Sequence, residues 1–378
     1  MGQRLAIVVA SVATALALLA SAASSAGGLT SGTQARQIAE VVRATMREND
    51  LKAVIVRVRV GKRQVLTRAF GNSMTGVPAS TRMHFRNGNV AIAYLTTILL
   101  RLQDRGRLSA DDKLSNWFPG LPEANRITLR MLANSTSGYS DYVRTDAFAT
   151  ASDANPFRLW TPRELIRIGT SRINFPPGTS FDYSHTGFVI LGEVLRRATG
   201  RSVARLIREH ILTPLRLQDT QSSQTARIPA PVLHAYTAER GTYEESTFWN
   251  PSWGTARGAN MTTTIADLAT SSRAIGTGRL LSRSAHREQV GPATAGLGGT
   301  TRKVYYAMGM PVMGGWIIQN PSLAGFGVMA AYLPSKRITI AVVSTKGERS
   351  EVGTNFSELI TRRIAKRLAP RNPIPERP

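Results

Sequence analysis

The chain has 378 residues, of which 42% are apolar and 19% charged, and 48 Lys and Arg stand against 24 Asp and Glu for a formal net charge of +24. That length exceeds one average domain, and that apolar content fills a sizeable core, which excludes a disordered tail and predicts two lobes or one large composite. The absence of cysteine excludes a disulfide framework, a thiol nucleophile, a lipid-modified cysteine and a Cys-rich zinc site.

In chain order, "MGQRLAIVVASVATALALLASAASSAGG" opens with one Arg, an apolar run to Ala20 and then small residues. This is the plan of a secretory leader over 1–22, with Ala20-x-Ala22 as the cleavage signal. The run is short for a membrane span, and no later segment is long and apolar enough for one. Residues 33–49 carry apolar positions at helical spacing. "LKAVIVRVRVGKRQVLTRAFG" alternates apolar and polar about Gly61-Lys62, which predicts a hairpin. "FRNGNVAIAYLTTILLRLQDRG" reads as a turn feeding a helix that stops at Arg105-Gly106. From about 110 to 250 the chain is turn-rich and mostly helical, punctuated by prolines. "TTTIADLATSSRAI" predicts a helix capped by Thr264 with Asp267 in its first turns. Three strand-like runs follow, "VYYAMGMPV", "GFGVMAAYLP" and "RITIAVVST", and a final amphipathic helix is predicted over 351–368.

A sheet assembled from both chain ends, with a helical insertion between them, is an α+β plan. At this point the chain resembles the serine penicillin-recognising superfamily, of class C β-lactamase and D-alanyl-D-alanine carboxypeptidase type. "ITLRMLANSTSGY" at 127–139 is similar to that family's I-T-x-R-x-L-L-x-H-T-S-G-L. "FPPGTSFDYSHTGFVILGEVLRRATGRS" at 175–202 is similar to F-P-P-G-x-x-F-x-Y-S-N-x-G-Y-x-L-L-G. "LTPLRLQDT" and "LPSKRITIAVVST" add two further stretches in the family's order. The resemblance runs from about residue 35 to 368. It implies an α+β fold with an antiparallel sheet flanked by helices and an inserted, mainly helical lobe. The sheet lobe would comprise 33–109 and 251–370, and the helical lobe 110–250.

The family segment F-R-x-G-S-x-T-K supplies a nucleophilic Ser and, one helical turn later, a Lys that helps take its proton. Residues at i and i+3 share a helix face, so the amine can activate the hydroxyl. Laid on "FRNGNVAI", the Ser falls on Asn89 and the Lys on Ile92. An amide nitrogen is a poor nucleophile and an alkyl chain accepts no proton, so both roles are empty. None of the seven Lys has Ser three residues before it, so the chain contains no S-x-x-K. It also lacks a G-x-S-x-G elbow, H-E-x-x-H and His pairs at metal-ligand spacing, so no metal or cofactor is expected.

The family's Y-S-N becomes Tyr183-Ser184-His185, where the resemblance gives the Tyr a base or relay role and the third residue a hydrogen bond to the substrate amide. His185 can donate or accept there, but not both as an amide does. The family's W-I-G-H-N-G-S-L-P-G-F is similar to "WIIQNPSLAGF", which places Gln319 on the His and Pro321 on the Gly. By the same mapping the Ser322 N–H would complete the oxyanion hole. Pro321 removes a neighbouring donor and stiffens the edge, against strand-like docking of a peptide.

The bland readings compete with these. Asn89 is first read as the helix N-cap, ahead of any catalytic role. Ile92 is read as core, and Tyr183 is as readily a structural residue as a functional one. His84, His210, His234 and His286 read as structural or surface residues, and "TKG" at 345–347 as a turn after the last strand. The expected cleft comprises Asn89, Tyr183, His185, Gln319, Asn320 and Ser322. The chain therefore reads as a secreted or envelope pseudoenzyme that binds a peptidoglycan peptide, an anionic envelope polymer or a protein partner. The rivals are a hydrolase using Tyr183 or an unrecognised nucleophile, and a structural protein with a collapsed cleft. Only seven of the 48 basic residues are Lys, so a compositional preference for Arg explains the charge most simply. Attraction to anionic polymers or lipid headgroups is the functional alternative. Nucleic acid is disfavoured, because the basic residues are scattered and no recognition motif accompanies them. Oligomeric state is not legible.

Overall fold

The structure, a computed structural model, describes residues 31–223 and 225–376, so the leader expected over 1–22 lies outside the described residues. Helix α1, Ser31–Glu48, buries Ile38, Ala39 and Val42. Strands β1, Leu51–Val60, and β2, Arg63–Met74, form the expected hairpin, with Val60 paired to Arg63 across Gly61-Lys62. After β3, Val77–Pro78, and β4, Phe85–Arg86, comes α2, Val90–Gln103. Its sequence "VAIAYLTTILLRLQ" is apolar on almost every side, and such a helix belongs in the interior. All of it except Arg101 and Gln103 is buried.

Between Leu129 and Ile207 the regular elements are helices. This stretch contains α3, Leu129–Ala133; α4, Asp146–Ala154; α5, Pro162–Gly169; α6, His185–Thr199; and α7, Val203–Ile207. Local chemistry sets most of these starts. Thr128, Thr145, Thr161 and Ser202 each accept a backbone N–H as N-cap, and Thr161 with Glu164 closes a capping box ahead of Pro162. Then come β5, Gln221–Ser222; β6, Tyr236–Thr237; β7, Glu244–Glu245; and β8, Met261–Thr263. Strands β4, β8 and β5 make a small sheet that ties the start of α2 to the far side of the insertion.

Helices α8, Ile265–Gly276, and α9, Arg283–Val290, precede the remaining strands. These are β9, Val304–Tyr306; β10, Pro311–Met313; β11, Trp316–Gln319; β12, Ser322–Leu323; β13, Phe326–Leu333; and β14, Ile338–Lys346. Helix α10, Phe356–Leu368, closes the chain. The main sheet has nine strands in the order β3-β2-β1-β14-β13-β11-β10-β9, with β12 also on β13. Its pairings are antiparallel, so the α+β expectation holds.

Period-two alternation gives the sheet two buried faces. Val54, Val56, Ile340 and Val342 pack with α1 and α10, whereas Ala53, Ile55, Ala341 and Val343 pack with α2 and α8. Three sequence expectations need correction. "VYYAMGMPV" is not one strand but the hairpin β9–β10, because Gly309 takes a φ of +78° and Ala307 N–H reaches the Met310 carbonyl. Thr264 sits at the start of α8 without capping it by its side chain. Lys346 of "TKG" is not in a turn: it is the buried last residue of β14, with its ammonium on the Glu351 carbonyl.

Candidate functional site

The starts of α2 and α6 meet at Asn89, Tyr183 and His185. Asn89 occupies the N-cap position of α2 but makes no side-chain cap bond, which overturns the capping reading. Its Nδ2 instead donates to the Tyr183 hydroxyl at 2.8 Å and lies 2.8 Å from His185 Nε2. An amide nitrogen carries two protons, and here each has an acceptor, so the carbonyl end of Asn89 points elsewhere.

His185 is held from behind. Its Nδ1 lies 3.1 and 3.0 Å from the two carboxylate oxygens of Asp141, a residue the sequence analysis did not single out. A proton on Nδ1 satisfies that pair and leaves the Nε2 lone pair facing Asn89. Asp141 also accepts the backbone N–H groups of His185 at 3.3 Å and Val143 at 3.2 Å, so it serves as the anion at the α6 N-terminus. The Ser184 and Thr186 hydroxyls both bond the Ser140 carbonyl, clamping the 140–141 turn onto the first turn of α6. Burial alone would raise the Asp141 carboxyl. The charge and hydrogen bond of His185, the Val143 N–H and Arg144 outweigh it and hold the carboxyl below its ordinary value.

Tyr183 shows the opposite balance. Burial and the Asp141 charge push its phenol well above the usual tyrosine range, with the Asn89 hydrogen bond only partly opposing them. A phenol that resists ionisation makes a poor general base. Among the described hydrogen bonds, none joins a serine hydroxyl to Tyr183 or His185. Ser135, a buried serine nearby in the chain to Ser137-Gly138, has a hydroxyl with no partner, so no base activates it.

The other expected positions fall as follows. Ile92 is 1% exposed and packs in the main core, as expected. A Cβ on Gly309 would stand 3.1 Å from its Cγ2, so the place of a lysine ammonium is taken up by close apolar packing. Gln319 donates to the Gly309 carbonyl at 2.8 Å. Asn320, expected in the cleft, commits its amide nitrogen to Glu358 of α10 at 2.7 Å. Ser322 is exposed and paired with Gly327 at the start of β12. Pro321 is buried, and a Cβ on Gly88 would fall 2.6 Å from its own Cβ. The proline ring thus presses on the backbone that precedes Asn89, and only glycine, at a φ of +52°, leaves it room. Among the described residues no cluster of three or more His, Asp or Glu is placed to hold a metal ion, and no helix is long and apolar enough to cross a membrane.

The missed residue, Asp141, lies 44 positions before its partner His185. A histidine standing where the family carries an amide was the signal, since a half-buried imidazole needs an acceptor for Nδ1.

The fold superposes with a TM-score of 0.77 on D-amino acid amidase from Ochrobactrum anthropi SV3, complexed with L-phenylalanine amide, at 19% identity over 90% of this chain and 99% of that one. It superposes with a TM-score of 0.74 on a D-stereospecific amidohydrolase from Streptomyces sp., at 24% identity over 86% of this chain and 97% of that one. In sequence the chain is 27% identical over 162 residues to penicillin-binding protein 4* of Bacillus subtilis, a match covering 42% of this chain and only 34% of that protein. The Beta-lactamase family profile matches residues 38–362, and the chain belongs to that family.

Proposed function

We propose that this chain is a non-acylating member of its family, which binds a D-configured peptide or amide outside the cytoplasm without cleaving it. The observation that carries the reading is the Asn89 amide, whose two protons engage Tyr183 and His185 where an acyl enzyme needs a free nucleophile and a base. Loss of the nucleophile in an acyl-transfer site costs roughly six orders of magnitude in kcat, and loss of its base adds little, because the groups act as a unit. Tyr183, held protonated, does not replace that base. The names of the structurally similar amidase and amidohydrolase suggest the ligand class, and the leader-like first 22 residues suggest the compartment.

A second reading has one observation in its favour. The His185–Asp141 pair aims an imidazole lone pair at position 89, as a hydrolytic base would. Asn89 occupies that lone pair, so the binding reading is preferred.

Incubation with a fluorescent penicillin, followed by intact-mass measurement, is expected to leave the protein unlabelled. Calorimetry with N-acetyl-D-alanyl-D-alanine is expected to give a saturable signal that the L,L isomer does not. An acylated peptide would overturn the non-acylating half and identify the nucleophile. Absence of binding by D-configured peptides and amides would overturn the other half.

A further inference from the structure

Beside the site, between the edge of β12 and the insertion, lies a cavity of about 60 Å³. Its walls include Trp249, Trp253, Pro156, Leu323 and Arg86. Trp253 links it to the site, since its ring stands 6.3 Å from that of His185. Volume of this size holds a few water-sized groups, enough for a carboxylate and one or two carbons but not for a drug-sized ligand.

Arg86 is the unusual member. It belongs to β4, three residues before Asn89, and is only 3% exposed. Its Nη2 donates to the Ala226 carbonyl, while Nε and Nη1 have no hydrogen-bond partner among the described residues. Thr262 stands directly opposite Arg86 in the β4–β8 ladder, fully buried, and its hydroxyl also lacks a partner. Asn87, the next residue, is fully buried with both amide atoms unpartnered. A buried cation without a counter-charge costs several kcal/mol, and buried polar groups are otherwise almost always bonded. The two open nitrogens of Arg86, with the open Thr262 hydroxyl on the residue paired to it, call for a polar occupant. Burial lowers the guanidinium pKa to about 10, so it stays charged at neutral pH and favours an anionic occupant. Asp153 and Glu239 lie exposed at the rim and repel multiply charged species.

We propose that Arg86, with Thr262, forms the floor of an anion-binding subsite that takes one small monovalent anion, either the carboxylate of an organic ligand or a free ion of similar size. This site stands independently of whether Asn89 supports acylation. The test uses the full chain, melted in acetate, bromide or sulfate at matched ionic strength, and crystals grown in bromide. Acetate and bromide should raise the melting temperature with a saturable midpoint and sulfate should not, and an anomalous bromide peak should sit on Arg86. Arg86→Met should weaken the midpoint about tenfold to a hundredfold, the loss expected for a charge-assisted hydrogen bond. An unchanged anion response in that variant, or only water beside Nε and Nη1, would overturn the proposal. If Arg86→Met does not fold, Thr262→Val keeps the charge and should weaken the midpoint several-fold, and an unchanged midpoint there is equally fatal. Competition separates the two sources. An acetylated D-alanyl-D-alanine that displaces bromide, while its C-terminal amide does not, assigns the subsite to a ligand carboxylate; displacement by neither assigns it to a free ion.

Discussion

The two helix starts that form the site are wired differently. At α6 both ring nitrogens of His185 and its backbone N–H have acceptors or donors, and Asp141 gathers three N–H groups from two segments. At α2 the cap position makes no cap bond, and Arg86 and Asn87 just upstream carry open polar atoms. The α6 side therefore supports itself through hydrogen bonds, whereas the α2 side is held by what packs on it, Pro321 from one direction and Gly309 from another. One wall holds a hydrogen-bonded His185–Asp141 pair, and the floor opposite carries Asn89 and Ile92.

The most severe way to break this contrast is to restore charge to the floor. Asn89→Ser with Ile92→Lys rebuilds the family's nucleophile and base, but the new ammonium replaces a side chain that is 1% exposed. An uncompensated buried charge typically costs about 3–5 kcal/mol, so denaturant unfolding should show a loss of that order. Turnover of nitrocefin should stay far below family rates, because Pro321 still removes an N–H from the strand edge and stiffens the backbone that would position substrate. Asn89→Ser alone should not recruit His185 either, since the serine oxygen ends one bond short of where Nδ2 meets Nε2. Normal turnover by the double variant would show that the floor was the only lesion.

The wall is tested by Asp141→Asn. Hydrogen bonds to a charged group contribute about 1.5–3 kcal/mol, and a loss in that range is expected at pH 7. The folded-state carboxyl lies below its unfolded value near 3.8, so its stabilisation is complete above that pH and fades as the pH falls through the folded value. The gap in stability between wild type and Asp141→Asn should therefore close below about pH 4. A constant gap would mean that the loss comes from packing rather than from the charge. Asn89→Leu should cost less, about 1 kcal/mol, because the bonds it removes are between neutral groups.

Much of this site could be read from the chain itself. The reading of Asn89 and Ile92 and the place of Tyr183 and His185 followed from the resemblance to the family, and the outer hairpin from alternation about Gly61-Lys62. What could not be read depends on contacts distant in sequence. Asn89 has a strong intrinsic preference for capping, yet two acceptors at and just before the start of α6, 94 and 96 residues away, outcompete the local N–H groups. Asp141 sits in an ordinary turn, and nothing in "SGYSDYV" distinguishes it from an exposed acid until the fold brings His185 to it. Asn320 looks like its family counterpart, but Glu358 on the last helix takes its amide.

The smallest effect is expected where the two sides touch, at Tyr183. Tyr183→Phe removes one neutral acceptor and leaves the ring, so stability should fall by about 1 kcal/mol or less. The more decisive readout is spectroscopic. A free tyrosine is half ionised near pH 10, but burial and the Asp141 charge hold the Tyr183 phenol above that range. Titration by absorbance at the phenolate band should then give the same curve up to pH 10 for wild type and Tyr183→Phe, because the missing phenol had not begun to ionise. Asp141→Asn should lower the Tyr183 ionisation, since it removes the second cause of the shift while leaving burial intact. If the wild-type curve instead contained one extra group ionising below pH 10, Tyr183 would be available as a base. The α2 side would then be the only part of the site out of use, and the hydrolase reading built on Tyr183 would regain its main support.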